Sequence, residues 1–318
     1  MQKRFRSLIG PLFGLTLVAI AIIVLAEKLS VLNWNDVRIQ FLRLSWLRLG
    51  TALLLTTIYY ILITGYDVVA FRVIRHSLPY RRIALASFSG FAFSHNVGLT
   101  TLSSGSVRYR IYSSFGLTAK EIAKIIAFAT VSFWVGLLAA TSAVFIMIPM
   151  RPHHLLHLPF ATVRPIGWIA LGCLFAYILI VTRGLNGRKM FSLELPHLRL
   201  KYVFLQILVG AGDLLLGCLT VYILLPHSQV MGFPRFFEIF LLAYVAGLFS
   251  QVPGGIGVFE GVLILLLPKV SSPATIVGAL VVFRAIFYII PLLVAVVLLA
   301  THEVRLSRGR VKAHVHEQ

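Results

Sequence analysis

Residues 202–225 read YVFLQILVGAGDLLLGCLTVYILL and carry one charged side chain, Asp213. About 20 mostly apolar residues form a helix long enough to cross the hydrocarbon core of a bilayer. We therefore predict that this stretch spans a membrane. Further windows of the same kind occur along the chain, at 8–26, 47–71, 122–148, 164–182, 236–252 and 274–300.

The composition points the same way. Of 318 residues, 59% are apolar and 12% are charged, and the mean hydropathy is +0.93. Such values are typical of a protein whose solvent is lipid. We predict an all-α fold, a polytopic transmembrane helix bundle of about eight spans. Residues 1–300 are expected to form a single integral membrane domain, and residues 301–318 a basic cytoplasmic tail.

Two segments differ from ordinary spans because they are short, polar or rich in glycine. They are 83–118, which contains Ser103-Ser104-Gly105-Ser106, and 250–268, which opens with Pro253-Gly254-Gly255. Backbone that leaves a helix at membrane depth is tolerated only when it is buried in protein or lines a wet cavity. We therefore predict that both segments are re-entrant or discontinuous helices that face a cavity.

The distribution of basic residues predicts the orientation. If 83–118 enters and leaves on one face, most of the 29 Lys and Arg residues lie on that face. Cytoplasmic flanks are enriched in these residues, so both termini are predicted to be cytoplasmic. A single crossing by 83–118 would instead place the basic clusters at 183–201 and 301–312 outside. The second segment, 250–268, is expected to open from the opposite face.

Two oppositely inserted discontinuous segments are typical of an inverted repeat in a transporter. The sequence similarity between the two halves is slight, so an inverted repeat and two unrelated halves both stay open. The formal charge of +19 is spread over separate short flanks rather than one folded face. Anionic membrane phospholipids are therefore the predicted partners, and nucleic acid is not.

The first interrupted segment contains the chemistry expected of a phosphate site. Arg108 and Arg110 follow several hydroxyl side chains and a predicted helix start. Arginine binds phosphate in a bidentate manner, and a helix start adds partial positive charge. The alternative is that both arginines anchor a helix end at the headgroups.

Four ionisable residues in or near the spans are further candidates: Asp67, Asp213, Glu238 and Arg284. Asp67, Asp213 and Arg284 are expected to form an ion or proton site or to meet a cationic headgroup, because charge inside a membrane is costly and commonly functional. The alternative for each is a structural ion pair. Glu260 is expected either to cap its own helix or to face the cavity and pair with Arg284.

The two interrupted segments also resemble a known family. Leu102 to Tyr112, followed by Gly116-Leu117, is similar to the first motif of the lysylphosphatidylglycerol synthase transmembrane region, the membrane module of the multiple peptide resistance factor proteins; Ser104 stands where a second glycine is common. Pro253 to Glu260 is similar to the second motif. The resemblance implies a lipid headgroup site, and the candidate residues are Asn96, Ser104, Gly105, Arg108, Arg110, Tyr112, Pro253, Gly254, Gly255 and Glu260.

By this resemblance the function is that of a flippase-like lipid translocase. It would move an anionic or aminoacylated phospholipid, such as phosphatidylglycerol or its lysyl ester, between leaflets, and so contribute to antimicrobial peptide resistance. The alternatives are a lipid-presenting partner of a separate aminoacyl-phosphatidylglycerol synthase, and a scaffold for other envelope proteins. A homodimer is compatible with each of these three functions. No catalytic motif of a soluble enzyme occurs in the sequence, and no metal or cofactor is expected.

Overall fold

The computed structural model describes residues 44–97, 100–149, 162–183, 198–225, 232–250, 255, 257–267 and 273–316. Within these ranges the chain forms helices and no strand. The helices are α1 (Trp46–Ile74), α2 (Tyr80–Val97), α3 (Thr100–Ser114), α4 (Ala119–Met147), α5 (Arg164–Arg183), α6 (Leu200–Leu224), α7 (Phe233–Phe249), α8 (Val258–Leu266), α9 (Pro273–Arg284) and α10 (Ile290–His316). A π-helical turn, Ala285–Ile289, joins α9 to α10.

Within the described ranges, five helical stretches are long and apolar enough to cross a membrane. They are Trp46–Ile74, Ala119–Met147, Arg164–Arg183, Leu200–Leu224 and Ile276–Ser307. The all-α polytopic bundle is therefore confirmed. The predicted span 8–26 and the turn residues Pro253 and Gly254 lie outside the described residues.

The helix ends follow from local chemistry. Thr118 begins α4 with a capping box, in which its hydroxyl accepts from the Glu121 amide while the Glu121 carboxylate accepts from the Thr118 amide. Ser45 caps α1 by accepting from the Arg48 amide. These contacts satisfy amides that have no partner inside the helix.

Helices α1 and α6 pack against each other at the centre of the bundle. A Cβ on Gly65 would lie 3.1 Å from Val209, and one on Gly212 would lie 2.7 Å from Leu62. Small residues let two backbones approach closely in a membrane protein. Residue numbers rise along α1 as they fall along α6, so the two helices are antiparallel.

Helix α4 packs on another face of α6, and here the two chains run in the same direction. Gln206 donates to Ser132 over 3.0 Å. One turn further along both helices, a Cβ on Gly136 would lie 2.2 Å from the Cα of Gly210. No larger residue fits at Gly136 or Gly210 without moving a helix.

Helices α2 and α3 form a re-entrant hairpin beside α1. The Phe88 ring contacts Tyr60, with centroids 5.0 Å apart, and the His95 ring contacts Tyr59 at 6.1 Å. The α2 end near Val97 therefore lies at about the middle of α1. At the other end of the hairpin, the Tyr112 ring contacts Phe71 at 5.2 Å. Both open ends of the hairpin thus lie at the Ile74 end of α1, as predicted.

Helices α7 and α8 form a second, shorter hairpin beside α6. The Phe233 ring contacts Tyr222, with centroids 5.3 Å apart, and Phe240 contacts Gly217 further down. α8 has nine residues, about 13 Å of helix, which covers less than half of a hydrocarbon core. Because α1 and α6 are antiparallel, the two hairpins enter the bundle from opposite ends.

Both halves of the bundle therefore repeat one order: a long central helix, a re-entrant hairpin and a further long helix. The two central helices run in opposite directions. This is the arrangement of an inverted repeat, the alternative that the sequence left open.

One expectation about local structure needs correction. The stretch Ser103–Ser106 was expected to leave the helix, but α3 is helical from Thr100 to Ser114. Its amides are therefore used within the helix and are not free donors for a phosphate. Residues 301–316 continue α10 beyond the predicted membrane domain, and Glu303 is buried within the bundle.

Candidate functional site

A cavity of about 390 Å³ lies between the two hairpins and the long helices α4 and α6. Its wall combines one arginine and one carboxylate with hydroxyl, imidazole and aromatic groups. The lining residues are Phe91, Ser94, His95, Leu102, Ser104, Arg108, Ile126, Ala129, Thr130, Phe133, Trp134, Asp213, Tyr244, Leu248 and Phe249. The predicted site residues Arg108, Ser104 and Asp213 are thus brought to one cavity.

Arg108 is held by a buried ion pair with Asp67 on α1. Its Nε donates to Asp67 Oδ2 over 2.9 Å and its Nη2 donates to Oδ1 over 3.0 Å. The Tyr112 hydroxyl also donates to Asp67 Oδ2, over 2.6 Å. Asp67 is fully buried and Arg108 is 2% exposed. Asp67 is therefore a structural partner of the arginine.

The Arg108 guanidinium keeps part of its hydrogen-bonding capacity. Of its five N–H donors, two bind Asp67 and one, on Nη1, binds the Ser104 hydroxyl. The remaining two, one on each Nη, have no acceptor among the described residues. The group also lies over the Phe91 ring, 4.3 Å from its centroid. Arg108 is thus fixed on one side and retains an N–H pair for a ligand oxygen.

Asp213 lies on another wall of the same cavity. Its Oδ2 accepts a hydrogen bond from the Tyr66 hydroxyl over 2.8 Å, and the residue is 8% exposed. Within the described part of the chain, no cationic nitrogen lies within salt-bridge distance of it. Phe91 contacts both the Tyr66 ring and Arg108, and so lies between the two charged groups.

The cavity has an apolar mouth on the outside of the bundle. Leu102 and Phe249 line the cavity and are each 68% exposed, and Trp134 is 41% exposed. Leu102 lies near the tip of the first hairpin and Phe249 at the tip end of the second. The opening therefore lies near the tips of the two hairpins, at about the middle of the bundle.

Arg110 does not share the cavity with Arg108. Residues two apart on a helix point about 200° apart, so the two arginines lie on opposite faces of α3. Arg110 is buried and donates to Glu303 on α10 over 2.5 Å. The sequence predicted that both arginines face one headgroup, whereas the structure places only Arg108 at the cavity. Both arginines are buried in ion pairs.

Asn96 also lies away from the cavity wall. Its side-chain amide donates to the carbonyls of Ala92, over 2.8 Å, and of Tyr288, over 3.2 Å. The Tyr60 hydroxyl donates to the neighbouring Phe287 carbonyl over 3.2 Å. A π-helical turn leaves carbonyls without their usual helical partner. Asn96 therefore connects the first hairpin to the π turn.

The second motif forms a separate ion pair. Glu260 accepts from the Gly257 amide over 2.8 Å, which caps α8, and its other oxygen accepts from Arg284 Nε over 2.8 Å. The helix cap and the Arg284 pair that the sequence proposed for Glu260 are both present, but Glu260 does not line the cavity with Arg108. Gly255 and Gly257 adopt positive φ angles of 62° and 84°, and glycine allows this chain reversal without strain.

The sequence interpretation missed three residues of α2 that line the cavity: Phe91, Ser94 and His95. Their i, i+3 and i+4 spacing places them on one helix face. The His95 ring is packed among Tyr59, Phe91 and Tyr288. The spacing was visible in the sequence, but only a helical assignment for residues 80–97 makes it a shared face.

Similarity to known proteins extends over almost the whole chain. No family model matches the chain. The protein slr0712 of Synechocystis sp. (strain ATCC 27184 / PCC 6803 / Kazusa) is 37% identical over 91% of this chain and 90% of its own length. The inner membrane protein YbhN of Escherichia coli (strain K12) is 26% identical over 93% of this chain and 92% of its own length.

A phosphatidylglycerol lysyltransferase of Staphylococcus aureus (strain MRSA252) is 22% identical over 94% of this chain. The match covers 34% of the lysyltransferase, so this chain corresponds to about a third of that protein.

The fold and cavity define a class of polytopic membrane proteins with two opposed re-entrant hairpins around an internal polar site. Within this class, the chain belongs to the family of slr0712. That family is related to YbhN and to the membrane-embedded part of phosphatidylglycerol lysyltransferase, so the resemblance noted from the two motifs is confirmed.

Proposed function

We propose that this protein moves a phospholipid between the two leaflets of a bacterial inner membrane, with its basic face and both termini in the cytoplasm. The observation that carries the proposal is the cavity itself. It joins a buried arginine that has two N–H donors available to an apolar mouth at the middle of the bundle.

The two ends of the cavity match the two parts of a phospholipid. The Nη1 and Nη2 groups of Arg108 suit two oxygens of a phosphodiester, because a guanidinium binds such a pair in a bidentate manner. Leu102, Trp134 and Phe249 suit acyl chains that stay in the hydrocarbon. A lipid so bound has its headgroup inside the bundle and its chains outside.

The opposed hairpins supply a route for the headgroup. Each enters from a different end and reaches about the middle of the central helices. Relative movement of two inverted halves around a fixed site is how many transporters open alternately to each side. Arg108 lies on one hairpin and Phe249 at the end of the other, so such a movement would change access to the cavity from each face.

The relatives support a lipid substrate in this proposal. A lysyltransferase that acts on phosphatidylglycerol contains a region similar to the whole bundle. Phosphatidylglycerol and its aminoacyl esters are therefore the first lipids to test. Their transport would expose aminoacylated lipid on the outer leaflet, which repels cationic antimicrobial peptides.

The test uses the purified protein in liposomes with fluorescently labelled phosphatidylglycerol, and dithionite to quench label in the outer leaflet. Arg108→Lys keeps the positive charge beside Asp67 but removes the planar guanidinium and its paired N–H donors. We expect at least a tenfold lower initial rate, because a charge-assisted hydrogen bond contributes about 1.5–3 kcal/mol.

Arg110→Lys makes the same chemical change on the opposite face of α3 and is the matched comparison. We expect a clearly smaller loss of rate, at equal protein yield in size-exclusion chromatography. Equal rates in wild type and Arg108→Lys would contradict the proposal. If deletion of the gene changes total lipid composition while leaflet sidedness is intact, the chain is instead a partner of a lipid-modifying enzyme.

A further inference from the structure

Three charged groups near the middle of the bundle were candidates for an ion or proton site, and the structure separates them. Asp67 is neutralised by Arg108, and Arg284 by Glu260. Asp213 has a tyrosine hydroxyl as hydrogen-bond partner and no cation at salt-bridge distance among the described residues.

A buried carboxylate without a cation is costly in a membrane protein, and it commonly marks a functional site. The cost is removed if the group is protonated or if a cation enters the cavity. Asp213 lines the cavity, so water and small cations that enter the cavity reach its carboxylate.

The surroundings of Asp213 favour a proton over a metal ion. Calcium and magnesium require about six oxygen ligands. No group of three His, Cys, Asp or Glu lies together in the described part of the chain. The titratable or charged groups that face Asp213 or share its cavity are Tyr59, Tyr60 and Tyr66 on α1, His95 on α2, Arg108 on α3, Tyr244 on α7 and Tyr288 in the π turn.

Phenol groups dominate this set, and the α4 residues that line the cavity are not titratable. The one cation of the cavity wall among the described residues, Arg108, is itself paired with Asp67 and lies beyond Phe91. Asp213 and Arg108 thus line one cavity, and no salt bridge joins them.

We propose that Asp213 is a proton-binding site that couples lipid movement to a transmembrane proton gradient. The carboxylate takes a proton from water on one face of the membrane and forms a neutral carboxylic acid. It returns that proton to water on the other face after the cavity has changed access. The Tyr66 hydroxyl fixes the orientation of the carboxyl group. The inference rests on the proposed lipid transport.

The test uses liposomes containing labelled phosphatidylglycerol, with the membrane voltage held at zero by potassium and valinomycin. A gradient of two pH units is imposed, and the distribution of label between leaflets is followed. Coupling to one proton allows a lipid ratio of up to about 100-fold at equilibrium. Phosphatidylglycerol has no amine, so a response cannot come from a cationic headgroup at Asp213.

We expect the wild type to build up a lipid asymmetry, Asp213→Asn to move lipid to an even distribution whatever the gradient, and Asp213→Glu to respond again. Thr220→Val, two turns along α6 and away from the cavity, controls for a change within this helix and should behave as wild type. A sodium gradient at equal pH should have no effect.

Several results would overturn the coupling. One is a wild-type response in Asp213→Asn. Another is a complete loss of movement in Asp213→Asn that Asp213→Glu does not restore, since that indicates a structural role. A response to sodium instead of pH assigns the site to a metal cation. If the wild type moves lipid equally with and without the gradient, the coupling alone fails. If it moves no lipid in any condition, the proposed transport fails as well.

Discussion

The Arg108–Asp67 pair of the first re-entrant hairpin and the Glu260–Arg284 pair of the second have opposite polarity and different burial. In the first hairpin the cation, Arg108, is on the hairpin and its partner Asp67 is on the central helix; their side chains are 2% and 0% exposed. In the second, the anion Glu260 is on the hairpin and Arg284 is on the following long helix; the side chains are 15% and 18% exposed.

The difference indicates that the two motifs have different structural roles. The first pair is enclosed and holds an arginine in position at the cavity wall. The second is partly exposed and combines an ion pair with a helix cap that starts α8 after a chain reversal. The first pair thus positions a side chain at the cavity, whereas the second supports the chain reversal of its hairpin.

The largest expected effect is on the first pair. Asp67→Asn leaves the Arg108 charge buried without a counter-charge, which costs about 3–5 kcal/mol. Glu260→Gln keeps an acceptor for the Gly257 amide and leaves a partly exposed Arg284, so it should cost clearly less. Thermal unfolding in one detergent, followed by intrinsic fluorescence, measures both. Equal losses would show that burial does not distinguish the two pairs.

A smaller effect is expected where the first hairpin meets the π turn. Asn96→Leu keeps the approximate volume but removes the donor to the Tyr288 carbonyl, and a buried polar group without its partner costs about 1–3 kcal/mol. Leu is chosen over Ala so that no large cavity adds to the loss. The same unfolding assay applies. A variant as stable as the wild type would mean that water or another donor replaces Asn96.

The glycines of the two hairpins should give the smallest effects, with opposite signs. Gly257→Ala introduces a side chain at a φ of 84°, and nothing lies within 4 Å of its Cβ. The loss of stability therefore comes from the backbone conformation alone and is about 1–2 kcal/mol. Gly105 lies within helix α3, and its Cβ would meet Ile126 at an ordinary 3.5 Å. Gly105→Ala should therefore be neutral or stabilise the protein by up to about 1 kcal/mol.

The signs of the two stability changes show whether the two hairpin motifs differ in backbone strain. Both variants are measured by the shift of the unfolding midpoint at matched detergent concentration. If Gly105→Ala destabilises the protein as much as Gly257→Ala, the first motif is also a strained turn, as its sequence suggested.

The sequence by itself determined that this is a membrane protein. It also determined the long helices and the two places where the chain turns back. Hydropathy is a local sum over about 20 residues, so it identifies α1, α4, α5 and α6 directly. The basic flanks predicted a re-entrant first hairpin, and the structure has one. The extent of the first break was not predictable in the same way, because a run of Ser and Gly is compatible with both a turn and a helix packed against neighbours.

Only the tertiary structure decided which charges act together. Arg108 and Arg110 look equivalent in sequence, but they lie on opposite faces of α3 and pair with Asp67 and Glu303, 41 and 193 residues away in the chain. Asp67 and Asp213 also look equivalent, yet Asp67 pairs with Arg108, whereas Asp213 has no cation at salt-bridge distance in the described part of the chain. Such pairings depend on how distant helices pack and rotate against one another, and no local pattern in the sequence contains that information.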